Sequence, residues 1–255
     1  MSIKILVCND DGVNSQGLIE LSDALREIGD VYVVAPDRDQ STSSHSLSLN
    51  RPLRIEQVSQ FTYSVDGTPT DCINLAVNGI FKSLNLDLVV SGINLGENLC
   101  EDITYSGTVS AAMEGTLLRI PSIALSLVAK ADFHFDTAKK YAVRLARKVL
   151  RIKLPEGVLL NVNIPNLPIE EIKGVSVTRQ GKRVYGEEIV EKVDPRGKKY
   201  YWIGGNELGY IDIKGSDILA VKDGYVSITP MKLDLTYYNY LSKLKDELEK
   251  LKGDV

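Results

Sequence analysis

The run Ile3-Lys4-Ile5-Leu6-Val7-Cys8-Asn9-Asp10-Asp11-Gly12 decides the fold class. Its first six residues are apolar at nearly every position, which is how a strand buried on both faces reads. The run then stops on a polar, acidic turn. Outward from it the same pattern repeats. A helix-period segment comes next at 16–28, with Leu18, Leu21 and Leu25 on one face, then a second strand at 31–35 closed by Pro36. Further on, the periodicity predicts helices over 69–83, 107–118 and near 135–150. Strands are predicted over 86–91, 122–127 and 158–164. Apolar strands separated by helices imply a mostly parallel sheet covered on both faces.

Three stretches break this rhythm. Between 47 and 65 apolar residues alternate (Leu47, Leu49, then Leu53, Ile55), predicting an antiparallel hairpin. Residues 175–203 are rich in charge and in aromatics such as Tyr185 and Trp202. With Pro195-Arg196-Gly197 as the tip, they predict a two-stranded arm outside the core. Strand character returns at 224–230. From Thr236, the residues Tyr237, Leu241, Leu244, Leu248 and Leu251 form an apolar stripe on an amphipathic helix. It is expected to pack on its own subunit, with an intersubunit seam as the alternative. The chain thus divides into an α/β core at 1–172, a hairpin arm and returning strand at 173–232, and a C-terminal helix at 233–255.

Composition removes several function classes. The balance of 30 Lys+Arg against 34 Asp+Glu gives a net charge of −4, which argues against broad binding of a nucleic-acid polymer. No stretch approaches the roughly 18–20 apolar residues of a membrane span. A strand starting at residue 3 leaves no room for a leader. Cys8, Cys72 and Cys100, with no Cys-x-x-Cys, indicate neither a disulfide framework nor a cysteine zinc site. The expectation is a cytoplasmic protein without a membrane partner.

In an open parallel sheet, ligands bind beyond the carboxyl ends of the strands. Three loops therefore carry the chemistry: Asn9 to Gly12, Asp37 to His45, and Ser91 to Asn98. The first excludes a dinucleotide turn, which offers glycines and bare N–H groups to a pyrophosphate. Two unit charges about 4 Å apart interact by about 4 kcal/mol at an effective dielectric of about 20. Asp10 and Asp11 would repel a phosphate unless a cation lay between. The hydroxyl of Ser41 and the amide carbonyl of Asn94 bring the set to four hard oxygen donors, which suits magnesium, manganese or calcium better than zinc. The plainer alternative is an Asp-Asp-Gly turn, with Ser41 and Asn94 merely closing their loops.

The stretch Tyr105 to Ala112 predicts a loop entering a helix, whose free N–H groups favour a phosphate. Ser106, Gly107 and Thr108 would hold phosphoryl oxygens there, with Asn98 orienting the substrate; simple N-capping is the alternative. The catalytic set is accordingly expected to be Asp10, Asp11, Asn98 and Ser106. Asn9 and His45 are further candidates, His45 being placed to touch a leaving group or phosphate, or to bond within its loop. Thr68-Pro69-Thr70-Asp71 reads as a structural helix cap, and His134 as structural too.

These residues resemble the SurE survival proteins, divalent-metal-dependent nucleotidases and phosphatases. The motifs are NDDG (9–12), APDRDQS with the later His45 (35–45), GTPTDC (67–72), SGINLGEN (91–98), YSGTVSAAMEG (105–115), TRQG (178–181) and SD…GYVSITP (216–230). Asp39-Gln40 depart from the family's usual residues before the serine. The resemblance implies a Rossmann-like three-layer α/β sandwich and one Mg²⁺ or Mn²⁺ per subunit held by Asp10, Asp11, Ser41 and Asn94. It implies dephosphorylation of nucleoside 5′-monophosphates, with 3′-nucleotides or short polyphosphate taken by some members. It also implies homodimers or homotetramers that exchange the arm or C-terminal segment. Tyr185 and Trp202 are expected in such an interface rather than against a base.

Overall fold

The computed structural model describes residues 2–186, 189–204 and 207–249. The first buried run forms β1 (Lys4–Cys8), followed by α1 (Gln16–Leu25), β2 (Asp30–Pro36) and a hairpin of β3 (Ile55–Ser59) and β4 (Thr62–Val65). Next come α2 (Pro69–Leu75), β5 (Leu88–Leu95), α3 (Gly107–Leu117), β6 (Ser122–Val128), α4 (Phe135–Ile152) and β7 (Val158–Pro165). The remainder is β8 (Gly174–Val177), β9 (Arg183–Tyr185), β10 (Ile189–Val193), β11 (Lys199–Ile203), β12 (Glu207–Tyr210), α5 (Asp217–Lys222), β13 (Tyr225–Lys232) and α6 (Tyr238–Glu249).

Among the described residues nine strands form one sheet, in the order β3-β4-β2-β1-β5-β6-β7-β13-β8. Its centre is parallel; antiparallel pairs occur only at β3/β4 and β7/β13. One face is covered by α1 and α4, whose Leu18, Leu21, Leu25, Ala138, Ala142, Ala146 and Val149 recur at helical spacing and bury against Ile5, Val7, Val90 and Leu125. On the other face α2 and α3 pack side by side, with Ile73 and Ala111 against Leu6 and Val89. This is the three-layer α/β sandwich of the Rossmann type. The chain runs outward from β1 to β2 on one side and returns to β5 on the other, so a topological switch point opens between the carboxyl ends of β1 and β5.

Some boundaries differ from the sequence reading. Residues 92–95 belong to β5, not to a loop, because the strand bulges between Ser91 and Asn94 and then resumes pairing with Ser126 and Leu127. Only glycine permits that kink: at Gly92, with φ +136°, a Cβ would sit 2.3 Å from the Leu125 carbonyl oxygen. The helix predicted over 69–83 is α2 followed by a π-helical turn, Ala76–Ile80. The arm is shorter than residues 175–203 suggested at its start, since β8 pairs with β13 in the main sheet, and Thr178 just beyond it shares hydroxyl hydrogen bonds with Ser227 and Thr229 at 2.8 Å. Beyond it β9 pairs with β12 and β10 with β11, and Asp194 closes the tip through the Arg196 and Lys198 amides. The apolar stripe of α6 does not pack on its own subunit: none of the helix's residues is buried. The two sheet faces are already covered by α1 and α4 and by α2 and α3, and Leu241, Leu244 and Leu248 of α6 stay exposed. Leu251 lies outside the described residues.

Candidate active site

Asp10 follows β1 directly and is almost completely buried, 4% exposed. An isolated carboxylate there would be expensive. It is held by one residue of α3: Thr108 donates its backbone N–H to Oδ2 at 3.0 Å and its hydroxyl to Oδ1. That clamp requires the start of α3 to touch β1. Gly107 makes it possible, because a Cβ there would lie 2.7 Å from the Asp10 Cβ and 2.9 Å from its Oδ2. Burial raises the Asp10 pKa; the two Thr108 hydrogen bonds oppose this, and Asp39 adds to it. Burial also pushes Asp11 up to about 7, with Asp10 and Asp39 contributing repulsion. The mouth of the sheet is thus a place of surplus negative charge.

The second loop is tied to the first, since the Gln40 N–H donates to the Asp10 carbonyl at 2.8 Å. Ser41 is exposed, and both its amide and its hydroxyl donate to Asp39 Oδ1, at 2.7 and 2.6 Å. Its own oxygen therefore keeps lone pairs to offer. Asn94 donates Nδ2 to the Gly96 carbonyl at 3.0 Å, which fixes the amide and leaves Oδ1 as an acceptor. Asn9, fully buried, braces the turn by donating to Gly12 O and Ser15 Oγ.

Asn98 is held from β7. Its N–H donates to Asn163 Oδ1 at 2.9 Å, and its carbonyl accepts from Asn161 and Asn163 at 2.8 and 2.9 Å. Its side-chain amide donates to Ser126 Oγ at 2.8 Å. Ser106 is the N-cap of α3, accepting from the Val109 N–H at 3.1 Å, and the Gly107 N–H opens the helix. So Ser106 caps as the plainer reading held, while its location at the helix start also leaves it beside any anion there. Thr108 spends both donors on Asp10. Sequence reading missed Asn161, Asn163 and Ser126. Their signal was present: two asparagines two residues apart in an apolar strand share one face and mark a buried polar task.

His45 does not stand alone. Its Nε2 lies 2.9 Å from Glu114 Oε2, and Asn74 donates to Glu114 Oε1 at 2.8 Å. Glu114 was not singled out by sequence, though it falls seven residues after Gly107 and hence on the same face of α3. Thr68 caps α2 as expected: its hydroxyl accepts from the Asp71 N–H at 3.1 Å while Asp71 accepts from the Thr68 N–H at 2.9 Å. His134 occupies the N-cap position of α4 without a side-chain cap bond.

Several buried polar atoms at the mouth have no hydrogen-bond partner among the described residues: Asp11 Oδ2, Asn9 Oδ1 and Ser43 Oγ. Buried oxygens are normally satisfied, and a bare carboxylate oxygen is what a cation would complete. No group of three or more His, Cys, Asp and Glu side chains is arranged for a metal among the described residues. The available donors are two carboxylates with neutral hydroxyl and amide oxygens, a set that fits a hard divalent ion.

Known proteins resemble the chain over most of its length. The family model described as "Survival protein SurE" matches residues 5–187. The chain is 54% identical over 244 residues to a protein named 5′-nucleotidase SurE from Geotalea uraniireducens, covering 95% of this chain and 98% of the relative. It is 52% identical to a protein of the same name from Geobacter sulfurreducens, covering 95% and 93%. Among solved structures it superposes on the SurE protein of Aquifex aeolicus with a TM-score of 0.87 at 49% identity, covering 96% of this chain and 99% of that one.

Proposed function

The chain belongs to the SurE survival-protein family, and we infer that it is a phosphomonoesterase, a 5′-nucleotidase hydrolysing nucleoside 5′-monophosphates to nucleoside and phosphate. The observation that carries this reading is the pair of carboxylates at the β1–β5 switch point, one clamped by Thr108 and the other with a buried, unpartnered oxygen. Such a pair is a poor phosphate site alone and a good one beside a divalent cation.

Asp10, Asp11, Ser41 and Asn94 would hold one Mg²⁺ or Mn²⁺ per subunit. A bound ion of this kind neutralises phosphoryl charge and lowers the pKa of a water. The chain's own residues do the positioning. Thr108 sets the direction of both Asp10 oxygens. The Gly107 N–H and the Ser106 hydroxyl face the phosphoryl group from the positive end of α3. Asn98, pinned by Asn161 and Asn163, closes the phosphoryl pocket, so the rate gain comes mainly from placement and electrostatics. Water is the nucleophile; both oxygens of Asp10 accept from Thr108, which disfavours attack by the carboxylate itself. Single-turnover hydrolysis in oxygen-18 water tests this, since label recovered in Asp10 would reverse it.

Three free, buried cysteines support a cytoplasmic setting. No helix among the described residues is long and apolar enough to cross a membrane. Exposed apolar side chains on the arm and on α6 support a homodimer or homotetramer. The deciding experiment is a phosphate-release screen over nucleotides, sugar phosphates and polyphosphate, with and without chelator. Release from nucleoside 5′-monophosphates should stop with chelator and return with Mn²⁺ or Mg²⁺. Asp10→Asn should lose metal binding, read by calorimetry, together with turnover; full turnover in that variant would refute the assignment.

A further inference from the structure

The loop after β2 passes along the mouth and ends on a histidine. Gln40 bonds to Asp10, Ser43 Oγ lies where a Cβ on Gly107 would be only 2.9 Å away, and the Ser44 N–H donates to the Tyr105 carbonyl at 3.1 Å. On the far side of His45, the Thr68 hydroxyl donates to the Ser46 carbonyl at 2.7 Å. The loop is therefore pinned before and after His45. Its Nε2 meets the buried carboxylate of Glu114, itself anchored by Asn74, and its Nδ1 has no hydrogen-bond partner among the described residues. The side chain is 31% exposed and stands on the wall of a cavity of about 660 Å³, with Ile103, Met113 and Leu117 as apolar walls and Thr104, Arg179 and Gln180 as polar ones. That is the size and make-up of a small-molecule site. A carboxylate on one ring nitrogen with the other left open is the arrangement that makes an imidazole a directed proton donor.

We infer that His45 is the general acid of the reaction, delivering a proton from Nδ1 to the departing nucleoside oxygen, with the nucleoside seated in this cavity and Glu114 as the positioning residue. The inference rests on the phosphomonoesterase reading. As the ester P–O bond breaks, its electron pair goes to the nucleoside oxygen, which takes the His45 proton and leaves as a hydroxyl. The oxygen of the attacking water bonds to phosphorus and keeps one hydrogen in the product phosphate. Its other hydrogen restores the imidazolium.

The test separates proton delivery from mere structure by changing the leaving group. A nucleoside alkoxide needs a proton to depart; p-nitrophenolate does not. In the full-length protein, His45→Ala should lower kcat/KM for a nucleoside 5′-monophosphate about 100-fold and for p-nitrophenyl phosphate by less than about 5-fold. Glu114→Gln should show the same split at smaller size, and His45→Gln should not restore the loss. The p-nitrophenyl phosphate rate reports that the rest of the site is intact. Equal losses on both esters, or no loss on either, would overturn the role of His45. If the unaltered protein releases phosphate from neither ester, the phosphomonoesterase reading falls and this role with it.

Discussion

Several groups at the mouth answer to residues far away in the chain. Asp10 and Thr108 are 98 residues apart, Asn98 and Asn163 are 65 apart, and His45 and Glu114 are 69 apart. Asp10, Asp11, Ser41 and Asn94 were singled out from sequence because each was expected just past the carboxyl end of a parallel strand, where the rim lies. Glu114, Asn161 and Asn163 were not: the spacing of the two asparagines marks a shared buried face, but the partners that give each of the three its task come only from the packing of α3 and β7. Glu114 also makes a pH prediction. Burial raises its pKa, but hydrogen bonds from His45 and Asn74 outweigh that and hold the carboxyl below its ordinary value. A depressed folded pKa adds stability above the unfolded value, about 4.3, and loses it as pH falls through the folded one. The urea midpoint of the unaltered protein should therefore drop more steeply between about pH 5 and pH 3 than that of Glu114→Gln. Parallel curves would show that the carboxylate carries no such advantage.

Elements differ in how openly they declare themselves. The strands of the centre were legible as unbroken apolar runs, and α2 announced its start through Thr68-Pro69-Thr70-Asp71. The course of β5 past Ser91 was hidden, because a bulge obeys the neighbouring strand rather than its own periodicity. The start of the arm was misplaced for a similar reason: hydroxyl pairing of Thr178 with Ser227 and Thr229 looks in sequence like loop polarity. The arm's root is fixed by Arg183, buried at 6% exposure, which pairs with Glu97 and with Asp102 at 2.8 Å. At this scale the α2 cap is the testable joint. Its Thr68 hydroxyl both caps the helix and holds the Ser46 carbonyl, while Asp71 takes the Ser48 N–H at 2.8 Å. Thr68→Ala should cost about 1 kcal/mol, or about 2–4 °C in Tm for a chain of this size. A thermal scan unchanged within error would mean the cap is redundant.

The whole molecule carries apolar surface that its own core does not cover. Along the arm, Ile189, Val193, Tyr201, Trp202 and Ile203 are exposed, Ile203 at 95%; on α6, Leu241, Leu244 and Leu248 are exposed as well. Isolated helices shorter than about 12–15 residues are marginal in water, and α6, at 12 residues, buries none of them against its own subunit. A second copy covering its stripe would hold such a helix, and large exposed apolar surface is the mark of an association site. The chain's single tryptophan, Trp202, sits on the arm at 63% exposure and so reports directly on what covers it. In the assembled protein its emission should be blue-shifted, moving to the red on dilution as subunits part. Deleting residues 236–255 should lower the mass measured by light scattering while phosphate release per subunit persists, because the mouth of the sheet lies on β1, β5 and α3. A full-length protein that stays monomeric at tens of micromolar, with red emission throughout, would show that neither surface is an interface.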